Sequence, residues 1–178
     1  DVTNFPETKV YQYTGASAGG LAETTNGYVI SYNQDLTGNA SDIRDVYLAF
    51  IPRDFTKKTE PQTICLTTTG TVNTTPILTP TGLNSGYVMW EEKNDSNYTF
   101  CYAPYYADGT AGTVIRVNGP RLSDCPPVPY GDGVMWYVTD NSVPTFYVLD
   151  ASGVHSYAAP SGVEDSSISG WAKQEVKE

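Results

Sequence analysis

Few residues of this sequence have the types and the spacing that catalysis needs. His155 is the only histidine among the 178 residues, so a Ser–His–Asp triad would have to use it. The pattern Gly-x-Ser-x-Gly occurs at Gly15–Gly19, but in hydrolases it presents its serine on a turn from a strand into a helix, and this part of the sequence has no helical periodicity. We therefore predict that His155 is an exposed strand or loop residue without a catalytic role.

Paired carboxylates are the other route to an enzyme, because glycoside cleavage uses two of them about 5–10 Å apart. Glu91 and Glu92 are adjacent, and adjacent side chains of a strand point to opposite faces, so they cannot form such a pair. The other acidic candidates lie near predicted turns, where we interpret them as solvated turn residues: Asp108, Asp124, Asp132 and Asp150. The sequence therefore predicts no catalytic residue.

The sequence also predicts no metal and no cofactor. Cys65, Cys101 and Cys125 are too widely spaced for a metal-binding motif, and we interpret them as small buried hydrophobic residues. A disulfide between Cys101 and Cys125 is the open alternative. The Asp-x-Asp-x-Asp loop of many calcium sites is also missing.

The charge of the chain excludes two classes of partner. Ten Lys and Arg stand against 20 Asp and Glu, which gives a net charge of −10. An acidic surface repels phosphate backbones and anionic lipid, so we expect no nucleic acid and no membrane insertion. Abundant Thr, Ser, Asn and Tyr beside few Lys are common in secreted proteins, and we predict an extracellular or cell-surface location.

The elements that position these residues are predicted to be β-strands. Short runs rich in β-branched and aromatic residues alternate with turn clusters, as in 27–32, 46–51 and 112–117. Helical periodicity is confined to the last residues, where 171–176 resembles a helix. The pattern predicts an all-β fold.

Two of these strand pairs are copies of each other. Val88-Met89-Trp90 recurs as Val134-Met135-Trp136, and Thr99-Phe100 recurs at the same offset as Thr145-Phe146. A repeat of about 46–50 residues that carries about four short strands is typical of a β-propeller blade. The copied Trp and Phe are predicted to fill the space between neighbouring blades.

A weaker third copy precedes these two, because Gly27–Ile30 matches Gly86–Met89. The fold class is therefore predicted as a partial β-propeller of about three four-stranded blades plus one N-terminal outer strand, Lys9–Tyr13. The predicted units are 1–16 (an outer strand of a preceding blade and a linker), the blades 17–70, 71–119 and 120–159, and a tail, 160–178. Known propellers need about four to eight blades, so we expect the remaining blades from the same chain, another fragment or a second copy, and favour a fragment of a longer chain.

The two best copies, Gly86–Tyr102 and Gly133–Leu149, resemble the divergent β-propeller repeats of secreted bacterial, clostridial-type surface proteins. The Gly-His and Trp-Asp signatures of WD40 repeats and the repeated double Gly of kelch repeats are missing. A blade repeat without catalytic residues predicts a non-catalytic binding or scaffold module. The alternatives are a glycan-active hydrolase or lyase with a propeller fold, and a β-sandwich adhesin domain.

Propeller loops surround a central mouth, and the loops predicted here carry Asn, Asp, Tyr and Ser, which suit a glycan or peptide ligand. For the tyrosines, packing at a blade edge is the alternative to an exposed binding role. The predicted ligand-binding residues are Asn94, Asp95, Tyr105, Tyr106, Tyr130, Asp140 and Asn141.

Overall fold

The computed structural model describes residues 16–35, 43–54, 61–68, 70–140 and 143–158, and all regular elements in these ranges are β-strands. The predicted all-β class is confirmed. No helix able to cross a membrane is found in this part of the chain. The predicted outer strand Lys9–Tyr13 and the helix-like segment 171–176 lie outside the described residues.

The first sheet is a four-stranded antiparallel meander. It contains β1 (Ala16–Thr24), β2 (Gly27–Gln34), β3 (Asp45–Pro52) and β4 (Gln62–Cys65), in that spatial order. Each strand pairs with the next one along the chain, so hairpin contacts build the sheet.

The second sheet has the same layout with an interrupted edge. Its central strands are β7 (Ser85–Asn94) and β8 (Asn97–Tyr106), joined by a tight turn in which Asp95 has φ +53°. Asp tolerates this left-handed conformation better than most residues. On one side β8 pairs with β9 (Ile115–Asn118), and on the other side β7 pairs with two short strands, β5 (Val72–Asn73) and β6 (Ile77–Pro80).

The third sheet repeats the meander. It consists of β10 (Val128–Tyr130), β11 (Gly133–Asp140), β12 (Val143–Asp150) and β13 (Gly153–Ala158), in that spatial order. The copied strand pairs of the sequence, β7–β8 and β11–β12, therefore hold the same central position in their sheets.

The three sheets pack face to face in chain order. Trp90 of the second sheet lies in one apolar cluster with Val29 and Leu48 of the first. Met89, the neighbour of Trp90, faces the other way and shares a second cluster with Trp136 of the third sheet. The second sheet is thus covered on both faces, as expected where adjacent residues of one strand are both apolar.

The two copied tryptophans occupy equivalent environments. Each packs on the preceding sheet, and each donates its indole N–H to the chain segment that enters its own sheet. For Trp90 the acceptor is Asn73 Oδ1 at 3.0 Å, and for Trp136 it is the main-chain oxygen of Arg121 at 2.8 Å. The copies in the sequence are therefore copies in structure.

The third copy is displaced by one residue from the sequence match. Val29 is matched to Val88, but Val29 faces the following sheet and Val88 the preceding one. On the face of the first sheet that corresponds to the side of Trp90, Tyr32 stacks on its cross-strand neighbour Tyr47 at 5.2 Å. The sequence match Gly27–Ile30 to Gly86–Met89 is wrong, because a slip of one residue turns every side chain to the opposite face.

The cysteines are free thiols, and the alternative of a Cys101–Cys125 disulfide is not met. Cys101 is buried between the first and second sheets, whereas Cys65 and Cys125 are exposed. The interpretation as a buried hydrophobic residue holds for Cys101 and is wrong for the other two.

Two copied phenylalanines make a matched test of this packing. Phe100 is fully buried against the third sheet, whereas its copy Phe146 is 39% exposed. We expect Phe100→Ala to lower the free energy of unfolding by about 3–5 kcal/mol and Phe146→Ala by about 1 kcal/mol, because less apolar area is lost from the interior. Urea unfolding followed by tryptophan fluorescence measures both, and equal losses would contradict the stacking order.

Candidate functional site

The predicted ligand-binding residues lie at opposite ends of the sheets. Tyr105, Tyr106 and Tyr130 lie at the end where first strands turn into second strands, and Asn94 and Asp95 lie at the other end. Strands β7 and β8 pair over ten residues each, so the two ends are about 30 Å apart. Asp140 ends β11 on the side of Asn94, and its side chain, like all of Asn141, lies outside the described residues.

The expected exposure of Tyr105 is wrong. Its side chain is 1% exposed and packs between the first and second sheets, while Tyr106, the next residue of the strand, is exposed. Burial raises the pKa of Tyr105 to about 12. Because the side chain is buried, this phenol cannot contact a ligand in solvent. Its hydroxyl has no hydrogen-bond partner within the described residues.

A cleft of about 310 Å³ opens at the same end of the molecule, between the first and second sheets. We call it the turn-end cleft. One wall carries Asn26 and Tyr28, from the β1–β2 turn and the start of β2, and Gln62 lines it at the start of β4. The facing wall is the turn Ala107–Gly109, which follows β8.

Hydrogen bonds tie the walls of the turn-end cleft together. Asn26 Nδ2 donates to the main-chain oxygen of Ala107 at 2.8 Å, and Gln62 Nε2 donates to that of Gly109 at 2.9 Å. The Thr25 main-chain N–H also donates to the oxygen of Leu83 at 2.8 Å. Because the amide nitrogens of Asn26 and Gln62 donate to the turn, the remaining hydrogen-bonding atom of each side chain is its carbonyl oxygen, an acceptor.

Asp108 adds a carboxylate to the same wall. Its Oδ1 accepts hydrogen bonds from Thr110 Oγ1 at 2.6 Å and from the Thr110 main-chain N–H at 3.0 Å. These bonds hold the pKa of Asp108 below its ordinary value, so the group is ionised at neutral pH. Gly109 completes the turn with φ +87°, and a Cβ there would lie 2.6 Å from Gln62 Oε1.

The same carboxylate turn recurs in the third sheet. Asp150 Oδ1 accepts from Ser152 Oγ at 2.6 Å and from its main-chain N–H at 2.7 Å, between β12 and β13. Asp108 lies in a turn, as predicted, whereas Asn26, Tyr28 and Gln62 were not among the predicted site residues. The recurring Asp-x-Ser/Thr pattern after a third strand is the signal that marks this end of the sheets.

His155 meets a serine and an aspartate without forming a catalytic triad. Ser152 Oγ lies 2.8 Å from His155 Nε2, and Asp150 Oδ1 lies 3.6 Å from the same nitrogen. A triad needs the acid on the other ring nitrogen, so that the first can accept the serine proton. This geometry does not activate Ser152, and the non-catalytic role of His155 stays a prediction.

The two adjacent glutamates are bound on opposite faces of the second sheet, as predicted. Glu91 accepts from Arg121 Nε at 2.7 Å and from the Leu122 main-chain N–H at 2.9 Å. Glu92 accepts from Arg116 Nε at 2.9 Å and Nη2 at 2.7 Å. Both carboxylates are nearly buried and neutralised by arginine. Glu92 pairs within the second sheet, since Arg116 lies in β9, whereas Glu91 binds the segment that leads to the third sheet.

Metal binding finds no support in the described ranges, which contain no group of three or more His, Cys, Asp or Glu able to hold an ion. No protein-family model matches the sequence, and no curated protein matches it. Among solved structures, an endo-arabinase from Bacteroides thetaiotaomicron is similar, with a TM-score of 0.40 and 15% identity. The alignment covers 84% of this chain and 57% of the endo-arabinase. That weak likeness does not place the chain in a family, and the resemblance to clostridial-type repeats stays a prediction.

The buried phenol and thiol make stability depend on alkaline pH. Burial raises the pKa of Tyr105 to about 12 from an ordinary 10.0, and that of Cys101 to about 12 from 9.0. The folded state therefore keeps protons that the unfolded chain loses, and we expect the free energy of unfolding to fall between pH 9 and 12. Tyr105→Phe should make this fall shallower.

The same variant removes a buried hydroxyl that has no partner in the described structure. We expect Tyr105→Phe to raise the free energy of unfolding at pH 7 by about 1 kcal/mol. Tyr106→Phe, on the exposed side of the same strand end, should change neither the stability nor its pH profile. A clear loss of stability in Tyr105→Phe would show that the hydroxyl is hydrogen-bonded after all.

Proposed function

We propose that the chain is a non-catalytic recognition module, built from three successive propeller blades, that binds a saccharide in the turn-end cleft. The blades are the predicted units 17–70, 71–119 and 120–159. Support comes from the packing of each sheet on the one before it through equivalent rings, Trp90 and Trp136. The three sheets also speak against the adhesin alternative, because a sandwich has two.

The single observation that carries the proposed binding is a preformed cleft rich in hydrogen-bond acceptors. Asn26, Gln62 and the ionised Asp108 line the cleft. Their side chains carry acceptor oxygens, and sugar hydroxyls are matching donors. Because the turns are already tied together, little conformational entropy is lost when a ligand binds. The volume, about 310 Å³, is at the small end of the range for ligand pockets.

Hydrolysis is less well supported by the same residues. A general acid needs a raised pKa to be protonated near pH 7, and the Thr110 hydrogen bonds lower that of Asp108. Glu91 and Glu92 are held by arginines. We therefore keep a glycan-active hydrolase or lyase as the second candidate function. The proposal also includes an extracellular or cell-surface location, where polysaccharides occur.

The proposal is tested by calorimetric titration with a panel of neutral and cationic oligosaccharides and of short lysine-containing peptides. We expect a saccharide to bind and Asp108→Asn to weaken its affinity about 10-fold or more, because a hydrogen bond to a charged group is lost. Asp150→Asn is the matched control, since it alters the same kind of turn outside the cleft.

Three results would change the conclusion. Absence of any binding at millimolar concentration contradicts the recognition proposal. Binding of peptides alone contradicts the saccharide. Release of reducing ends from a polysaccharide, abolished by Asp108→Asn and retained by Asp150→Asn, establishes the hydrolase instead.

A further inference from the structure

The third sheet turns an apolar face away from the second sheet. The register of its strands places Val128, Tyr130, Tyr137, Phe146 and Tyr157 on this side, and all five are exposed. The rings of Tyr137 and Phe146 lie 6.0 Å apart. We call this surface the outer face. In the described strands the register places one carboxylate on this side, that of Asp150 at the end of β12, with His155 beside it.

The outer face corresponds residue by residue to a face that is already covered. Alignment through the two tryptophans places Met135 at the position of Met89 and Phe146 at the position of Phe100. Met89 and Phe100 are fully buried because the third sheet packs on them. Identical residue types at identical positions are thus buried on the second sheet and partly exposed on the third.

The face of the second sheet that packs on the third shows which groups contact a surface of this kind. Trp136 stacks on Phe100 with ring centroids 5.2 Å apart. The segment that enters the third sheet crosses Glu91, which binds Arg121 and the Leu122 main-chain N–H. Tyr137 holds the position of Glu91 on the third sheet.

We propose that the outer face docks a further four-stranded antiparallel sheet, which stacks a large aromatic ring on Phe146 and lays its entering segment over Tyr137. The inference rests on the proposed blade series and names the chemistry of the next member. A sheet face with five exposed apolar side chains suits another sheet better than a polar ligand.

A second copy of this chain is a poorer occupant. To continue the series it would have to offer the far face of its own first sheet. There Tyr32, Tyr47 and Ala49 are already buried. Self-association is therefore an outcome of the test and not the proposal.

The experiment appends a second copy of residues 119–158 after Glu178 of the full chain. Tyr137 and Tyr157 are changed to Phe in the appended copy, so that nitration by tetranitromethane, mapped by mass spectrometry, reports only the original pair. We expect nitration of Tyr137 and Tyr157 to slow by about fivefold or more in the extended protein. Tyr106, which is 43% exposed on the second sheet, serves as the internal control and should react equally in both proteins.

The matched variant is Phe146→Glu in the original copy, which places an unpaired carboxylate in the proposed contact and should restore the nitration rate. Absence of protection overturns the proposal, whether amide exchange shows the appended unit unfolded or folded without docking. A dimer of the unextended chain in sedimentation, with both tyrosines protected, overturns it in favour of a second copy. Binding in the turn-end cleft is measured separately, so failure here is distinguishable from failure of the recognition proposal.

Discussion

The structure depends on one constraint: both faces of the second sheet must be shielded from water. Met89 and Trp90 are neighbours on a strand and are both completely buried, one on each side. A strand of this kind is stable only when both of its faces are covered. The first and third sheets supply the two covers, and the order of the sheets in space follows the order of the strands in the chain.

Polar groups within these interfaces restrict where the connecting segments can run. The side chain of Asn73 accepts the indole N–H of Trp90 through Oδ1 and donates from Nδ2 to the Arg44 main-chain oxygen at 2.6 Å. The main-chain oxygen of Asn73 accepts from Asn33 Nδ2 at 3.0 Å. Glu91 binds the segment before the third sheet in a similar way. Buried polar groups must be satisfied, so these bonds fix each segment between two sheets.

The sequence predicts this fold well where a large side chain is copied and poorly where it is not. Trp90 and Trp136 identify equivalent strands because each copy keeps the same bulky ring in the same place. The first sheet has no tryptophan in its described strands, and the similarity of 27–30 to 86–89 aligns Val29 with Val88, which faces the other way. Because β2 is largely buried on both faces, its hydrophobic pattern does not reveal a slip of one residue.

The site is harder to predict because it is assembled from short turns far apart in the chain. Asn26 lies in the β1–β2 turn, Gln62 begins β4, and Asp108 lies in the turn after β8. Only the packing of the first sheet on the second brings them together. Tyr105 failed as an exposed candidate for a related reason, since its burial depends on which side of β8 faces the neighbouring sheet.

The face-to-face arrangement also has a consequence for the order in which the molecule loses structure. Each sheet is a meander of sequence-adjacent hairpins and touches only its neighbours, so the chain behaves as a short one-dimensional series. The second sheet is packed on both faces, whereas the third sheet packs only on the second, at Met89 and Phe100. Opening should therefore begin at β10–β13 and travel inward, with the slowest amide exchange on β7 and β8.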